Sequence, residues 1–130
     1  METIFSMVEF PERSIGKKAL GFLARPKEAG IYPVVIVIHE IWGLVDHIKD
    51  VAMRFSREGY VALAVDLFDG KTISKLEEGR KFREQFTEDN ILGDLSRTFD
   101  YLGSLQYVNS KRIGSIGFCM GGGLSLLFAC

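Results

Sequence analysis

Apolar positions divide the first part of the chain into short strands. Thr3–Phe10 and Ala19–Arg25 each have the pattern of a strand, and the polar stretch Pro11–Lys18 between them predicts a turn. We expect the two strands to form an antiparallel pair at the edge of a sheet. The run Pro33–Ile38 differs, because its β-branched residues follow one another without polar alternation. Such a run is typical of a strand buried on both faces, as in a parallel sheet covered by helices.

Helical periodicity follows this buried strand. Four apolar residues fall on one helix face, and Gly59 is placed to end that helix: Ile48, Val51, Ala52 and Phe55. Tyr60–Val65 then predicts a second buried strand. Ser74–Phe86 has helix-favouring charged residues with weaker apolar spacing.

The remaining segments continue the alternation. A clearer amphipathic helix is marked by Leu92, Leu95, Phe99 and Leu102. Arg112–Phe118 predicts a third buried strand, and Gly121–Cys130 predicts a helix with a small-residue start and an apolar body. Strands alternating with helices indicate an α/β fold, mostly a parallel sheet with helices on both faces.

Residues 1–130 are interpreted as the N-terminal portion of a single α/β domain. The apolar face of Leu124–Phe128 fits a sheet that further strands would complete, and a single α/β domain often runs to about 200 residues or more. A compact small domain is the alternative.

Composition narrows the classes of function. Of 130 residues, 47% are hydrophobic and 25% charged, which is normal for a globular protein with a substantial core. The net charge of −1 and the scattering of Lys and Arg among acidic residues argue against nucleic acid as a partner. No apolar run is long enough for a membrane span, and the first residues lack the pattern of a signal peptide. We therefore expect a cytoplasmic protein.

The two cysteines, Cys119 and Cys130, are expected to be separate thiols. If Gly121–Cys130 is helical, they lie roughly 16 Å apart along its axis, too far for a disulfide. Two cysteines without paired-ligand spacing also argue against a zinc site, so neither a metal nor a cofactor is predicted. Cys130 is expected to be a core residue.

The residues around Cys119 match the pattern Gly-x-nucleophile-x-Gly, with Cys in the position that Ser often holds. A nucleophile on a sharp strand-to-helix turn has a strained backbone, and Gly117 and Gly121 remove the Cβ atoms that would collide there. Gly122 and Gly123 would let the helix approach the sheet closely. The helix N-terminus favours a thiolate. A core cysteine in a tight turn is the plainer alternative, whereas the glycine spacing does not fit a nucleotide-binding loop.

A second candidate segment directly follows the buried strand Val34–Ile38. Ligands gather at the carboxyl ends of parallel strands, so Glu40 is expected at the same sheet edge as Cys119. In this architecture one oxyanion-hole N–H comes from this loop and another from the residue after the nucleophile, which predicts the amides of Ile41 and Met120. Trp42 would wall the pocket. The alternative is a polar loop in which Trp42 is a packing anchor.

A cysteine hydrolase also needs a histidine base. His39 lies at a strand end and His47 at the start of a surface helix, and both are expected to be structural. The base is therefore expected beyond Cys130.

Three segments together resemble the dienelactone hydrolase family of α/β-hydrolases. They are Val35–Leu44 (VIVIHEIWGL), Gly59–Phe68 (GYVALAVDLF) and Ile113–Gly123 (IGSIGFCMGG), and the likeness extends from about residue 17 onward. The resemblance implies hydrolysis of small lactones or esters by a Cys-His-Asp triad, with dienelactone to maleylacetate as the type reaction.

Residue by residue, the resemblance implies Cys119 as nucleophile, Glu40 as the carboxylate beside it, and the Ile41 and Met120 amides as oxyanion donors. The family's Asp and His lie in a C-terminal part that these residues do not include. It also uses arginines to hold a substrate carboxylate, and Arg80 or Arg83 would serve. Because two adjacent anions disfavour each other, an ionised Glu40 would keep Cys119 a neutral thiol until substrate displaces it.

Other functions stay open at this point. The fold also fits a hydrolase of another ester class. A catalytically incomplete fragment that survives by binding another chain is a non-enzymatic alternative, and a redox-sensing thiol is a weaker one because no resolving cysteine lies nearby. The substrate and the oligomeric state are not predicted.

Overall fold

A computed structural model describes residues 1–12 and 18–130. Nine elements follow in chain order: β1 (Thr3–Glu12), β2 (Lys18–Pro26), β3 (Tyr32–Ile38), α1 (Asp46–Arg57), β4 (Val61–Asp66), α2 (Leu76–Arg83), α3 (Glu88–Gly103), β5 (Val108–Gly117) and α4 (Met120–Ala129). The strands form one sheet in the order β1-β2-β4-β3-β5.

The sheet has a parallel centre and an antiparallel side. β3 lies between β4 and β5 and is parallel to both. β1 pairs antiparallel with β2, which in turn pairs antiparallel with β4. The predicted antiparallel pair at the sheet edge is thus confirmed, whereas most of the turn predicted over Pro11–Lys18 lies outside the described residues.

Side chains of β3 and β4 alternate between two cores on opposite faces of the sheet. On one face, large residues such as Ile36 and Leu63 pack with α3 and α4. On the other, Ala62 and Ala64 of β4 pack with α1 through Ile48 and Ala52. Every residue of β4 is buried, because helices cover it on both faces and strands flank it on both sides. The α/β fold with helices on both faces is confirmed.

Two predictions about burial were wrong. The strand predicted at Arg112–Phe118 is β5, but it is not buried: it is the last strand of the sheet, and much of it is exposed or half-buried. The buried face of α3 is also rotated from the prediction. Ile91, Leu95 and Leu102 are buried, whereas Phe99 is 42% exposed.

Phe99 lies instead beside the outer edge of β5. There it lines a groove of about 430 Å³ with Asp100 of α3, Ile113 and Gly114 of β5, and Phe128 of α4. The residues predicted to form an apolar face on α4 do not all pack against the sheet. Leu124 is buried, at 5% exposed, whereas Leu126 is 71% exposed.

No helix within the described part of the chain is long and apolar enough to cross a membrane.

Candidate active site

The parallel pairing of β3 and β5 brings two distant parts of the sequence to one edge of the sheet. The register places Ile38, the last residue of β3, opposite Gly117, the last residue of β5. The loop that begins with His39 and Glu40 and the turn that holds Cys119 therefore start side by side. This is the sheet edge at which the sequence predicted a site.

Cys119 occupies a strained turn between β5 and α4. Its φ of 56° and ψ of −116° lie in a region that residues with a side chain rarely adopt, which costs of order 1–3 kcal/mol. The thiol is free and the residue is exposed. The core-cysteine alternative is therefore wrong for Cys119, and the strain fits a turn that presents a nucleophile.

Two glycines make this turn possible. A Cβ on Gly117 would overlap the carbonyl of Gly121 and lie 2.7 Å from the nitrogen of Gly122. A Cβ on Gly121 would overlap the carbonyl oxygen of Ile38 and lie 2.6 Å from that of His39. The first turn of α4 thus rests directly on the backbone at the ends of β5 and β3.

The other two glycines of the run contribute differently from the prediction. A Cβ on Gly122 would lie 3.3 Å from the carbonyl oxygen of Gly117, a tight contact. A Cβ on Gly123 would meet nothing within 4 Å, so a close approach to the sheet does not require a glycine there. A hydroxyl pair adds to the contact between β5 and α4, since the Oγ atoms of Ser115 and Ser125 are 2.6 Å apart.

The two predicted oxyanion donors are the backbone N–H groups of Ile41 and Met120. Among the described residues, neither the Ile41 nor the Met120 N–H donates to a backbone carbonyl. By contrast, the Gly121 N–H donates to the Phe118 carbonyl and the Gly43 N–H donates to the Glu40 carbonyl. The amides of Ile41 and Met120 are thus available to an external acceptor.

His39 is completely buried at the end of β3, and both ring nitrogens bind backbone groups. The Leu67 N–H donates to Nε2 at 3.0 Å, so Nε2 is unprotonated, and Nδ1–H donates to the Glu40 carbonyl at 2.6 Å. Burial lowers the pKa of His39 below its ordinary 6.5, although the Glu40 hydrogen bond and the Asp66 carboxylate act in the opposite direction. Neither nitrogen is free to take a proton from Cys119. His47, in the first turn of α1, is exposed.

Glu40 and Trp42 both lie in the loop after β3. Glu40 is half-buried. Trp42 packs against the larger core and its carbonyl accepts a hydrogen bond from the Ile73 N–H. Trp42 is therefore a packing anchor for the loop, and its contact with substrate stays a prediction. Gly43 has a φ of 87°, and a Cβ there would lie 2.5 Å from the carbonyl oxygen of Lys71.

The two candidate arginines of α2 have different surroundings. Arg80 is exposed. Arg83 is half-buried, and its guanidinium donates to the Phe86 carbonyl at 2.8 Å. Arg83 also lines a depression of about 510 Å³ that runs along α4 and includes Met120 and Cys130. Cys130 is exposed, so the prediction that it is a core residue was wrong.

Asp66, at the end of β4, was missed by the sequence analysis. It is 4% exposed, and its two carboxylate oxygens accept the N–H groups of Phe68 and Gly70, each at 2.9 Å. It thereby shapes the loop that supplies the Leu67 N–H to His39. The signal from which this role could have been predicted is an Asp at a strand end, two and four residues before the amides that it accepts. Within the described residues, no three His, Cys, Asp or Glu side chains are grouped to hold a metal ion.

The contact at Gly121 leads to a prediction about stability. Gly121→Ala should lower the free energy of unfolding by about 1–3 kcal/mol or more, because its Cβ meets backbone that cannot rotate away. Gly123→Ala is the matched control in the same helix turn. It should preserve or raise stability, since Ala is favoured over Gly in a helix by about 0.8–1.0 kcal/mol. Urea denaturation measures the free energy of unfolding of both variants, and an equal change in the two would contradict the close backbone contact at Gly121.

Comparison with known proteins shows to which family the chain belongs. The dienelactone hydrolase family matches residues 20–130. A Synechocystis protein, provisionally named a carboxymethylenebutenolidase, is 39% identical over 132 residues, which cover 95% of this chain and 53% of that protein. A Bradyrhizobium protein, provisionally named a 2-oxo-3-(5-oxofuran-2-ylidene)propanoate lactonase, is 35% identical over 117 residues, covering 88% of this chain and 47% of that protein.

A solved structure shows the same fold. A Klebsiella pneumoniae protein, described provisionally as a dienelactone hydrolase, superposes with a TM-score of 0.90 at 29% identity and covers 99% of this chain and 55% of its own. The chain thus spans about half the length of the relatives it matches. With a family match over most of its length and the fold of the Klebsiella protein, the chain belongs to the dienelactone hydrolase family of hydrolases.

Proposed function

We propose that the protein hydrolyses small lactones or esters through Cys119 as a covalent nucleophile. The observation that carries the proposal is the strained, exposed Cys119 at the junction of β5 and α4. A fold does not retain a backbone strain of about 1–3 kcal/mol without compensation, and such strain is concentrated at functional sites. Two free thiols also fit a reducing compartment such as the cytoplasm.

The proposed reaction begins with attack of the Cys119 thiolate on the substrate carbonyl. The tetrahedral oxyanion accepts hydrogen bonds from the Ile41 and Met120 amides, which have no backbone acceptor within the described chain. Collapse of this intermediate breaks the carbonyl carbon–oxygen bond of the ester, and the departing oxygen takes the proton that the base removed from Cys119. Water then hydrolyses the acyl-enzyme, which releases the carboxylic acid and restores the thiol. We further propose that polypeptide beyond Cys130 supplies the histidine base and its aspartate. The open edge of β5 and the greater length of the relatives support this.

Small lactones of the dienelactone type are the proposed substrates. The name of the Bradyrhizobium relative, a lactonase, and that of the Synechocystis relative support a lactone. A catalytically incomplete fragment that survives by binding another chain is the second candidate, because the groove beside the β5 edge offers a place for that chain. Hydrolytic activity of the protein expressed from its natural gene would contradict this candidate.

Cys119→Ala should lower kcat/KM for dienelactone and for p-nitrophenyl acetate by more than about 10³-fold, because it removes the nucleophile. Cys130→Ala, which removes the other exposed thiol, should lower kcat/KM far less than Cys119→Ala does. The measurement uses the protein expressed from its natural gene. Activity that survives in Cys119→Ala would overturn the proposed nucleophile, and activity on p-nitrophenyl acetate alone would indicate another ester class.

We propose that Glu40 restrains Cys119 before substrate binds, because a carboxylate close to the thiol disfavours a second negative charge. Glu40→Gln should therefore speed alkylation of Cys119 by iodoacetamide in the absence of substrate. Glu58→Gln, in which the lost carboxylate lies at the far end of α1, is the control and should leave the rate unchanged. An unchanged rate in Glu40→Gln would exclude the restraint.

Of the two arginines, we propose Arg83 as the group that holds a substrate carboxylate, because it lines the depression that includes Met120. Arg83→Gln should lower kcat/KM for an ester with a terminal carboxylate about 10- to 100-fold, the equivalent of a charged hydrogen bond. Neutral p-nitrophenyl butyrate should be hydrolysed as before. Arg80→Gln, one turn earlier in α2, is the matched control, and a larger loss there would reverse the assignment.

A further inference from the structure

We infer that His39 is a positioning residue, which fixes the direction of the Ile41 N–H in the oxyanion hole. The inference rests on the proposed function. It follows from one property of the backbone: the Glu40 carbonyl and the Ile41 N–H belong to the same planar peptide unit. In a trans peptide these two groups point in opposite directions. Whatever holds the carbonyl therefore also aims the N–H.

Two donors hold the Glu40 carbonyl. His39 Nδ1–H donates to it at 2.6 Å and the Gly43 N–H at 3.1 Å. With its oxygen held on the side of the His39 ring, the peptide turns the Ile41 N–H away from that ring. The Ile41 N–H has no backbone acceptor among the described residues, as an oxyanion donor requires.

The His39 ring is itself fixed to a different strand. Its Nε2 accepts the Leu67 N–H at 3.0 Å, just after β4. The ring also packs edge-on against Phe68, with 4.9 Å between the ring centroids. Leu67 and Phe68 belong to the loop that the Asp66 carboxylate shapes. The orientation of the donor peptide is thus set by the loop after β4, which carries no group of the proposed reaction.

The backbone of His39 completes the connection to the nucleophile. A Cβ on Gly121 would lie 2.6 Å from the His39 carbonyl oxygen, so α4 rests against this residue. One residue therefore contacts the helix that supplies the Met120 N–H and orients the peptide that supplies the Ile41 N–H. The two donors depend on a common support.

The neutral, Nδ1-protonated ring is the form this role needs. The Leu67 N–H can only donate, which leaves the proton on Nδ1, where it donates to Glu40. Because the tautomer is fixed, His39 is always the donor and the Glu40 carbonyl always the acceptor in this hydrogen bond.

The test compares two reactions of Cys119. Release of p-nitrophenolate from p-nitrophenyl acetate reports acylation, which passes through an oxyanion. Alkylation by iodoacetamide displaces iodide and forms no oxyanion. His39→Phe keeps a ring and loses the hydrogen bond to Glu40. It should lower the acylation rate about 10-fold or more, a part of the 10²- to 10³-fold effect of losing a donor outright. The alkylation rate should not change.

His39→Asn is the matched rescue variant. The Asn amide nitrogen stands as many bonds from Cα as Nδ1, so it can donate to Glu40 while the link to Leu67 is lost. Its ratio of acylation to alkylation should be close to that of the wild type. Thermal denaturation of each variant separates loss of fold from loss of the oxyanion donor. If His39→Phe does not fold, His39→Gln takes its place in the comparison. The Gln amide stands as many bonds from Cα as Nε2, so this variant also loses the Nδ1 hydrogen bond to Glu40.

The outcomes distinguish the inference from the proposed function. An unchanged ratio in a folded His39→Phe, or an equal loss in His39→Asn, would overturn the positioning role while leaving Cys119 as nucleophile. If p-nitrophenolate release by the wild type does not exceed that of Cys119→Ala, the proposed nucleophile fails, and the role of His39 fails with it.

Discussion

The site depends on a contact between backbones, the first turn of α4 lying directly on the ends of β3 and β5. Gly121 touches the carbonyls of Ile38 and His39, and Gly117 touches the carbonyl of Gly121. No side chain separates these segments. Their relative position is therefore set by peptide planes, which are stiffer than side chains that can change rotamer. That stiffness holds Cys119 at its φ of 56°.

The packing on the two faces of the sheet supports this contact. β4 presents alanines to α1 and larger branched side chains to the face covered by α3 and α4. At the carboxyl end of β4, Asp66 satisfies the amides of the following loop, and that loop binds His39. A chain of buried and partly buried hydrogen bonds thus joins the end of β4 to the Glu40 peptide. Buried networks of this kind are rigid, since an unpaired member would be costly in a region of low dielectric.

Much of the fold could be predicted from local pattern. Uninterrupted β-branched residues marked β3, and glycines two residues on either side of Cys119 marked its turn, because each feature has a local steric cause. Edge exposure could not be predicted in the same way. Ile113, Ile116 and Phe118 gave the predicted segment the apolar residues of an interior strand, and only the order of strands shows that β5 has no outer neighbour among the described residues. The rotation of α3 that exposes Phe99 has the same origin, because Phe99 faces that unpaired edge. The link of His39 to Leu67 needed the structure, since Leu67 follows β4 and lies 28 residues further along the chain.

The sheet order also has a consequence for the sequence of events in folding. The amino-terminal strands and β4 are close enough along the chain to pair early, but β3 acquires its second neighbour only when β5 has been made. Pairings between segments far apart in sequence are slow, since a long loop must close first. During synthesis the loop after β3 therefore exists before the turn against which it packs. Cys119 therefore acquires its strained, exposed position late in folding, once β5 has paired with β3.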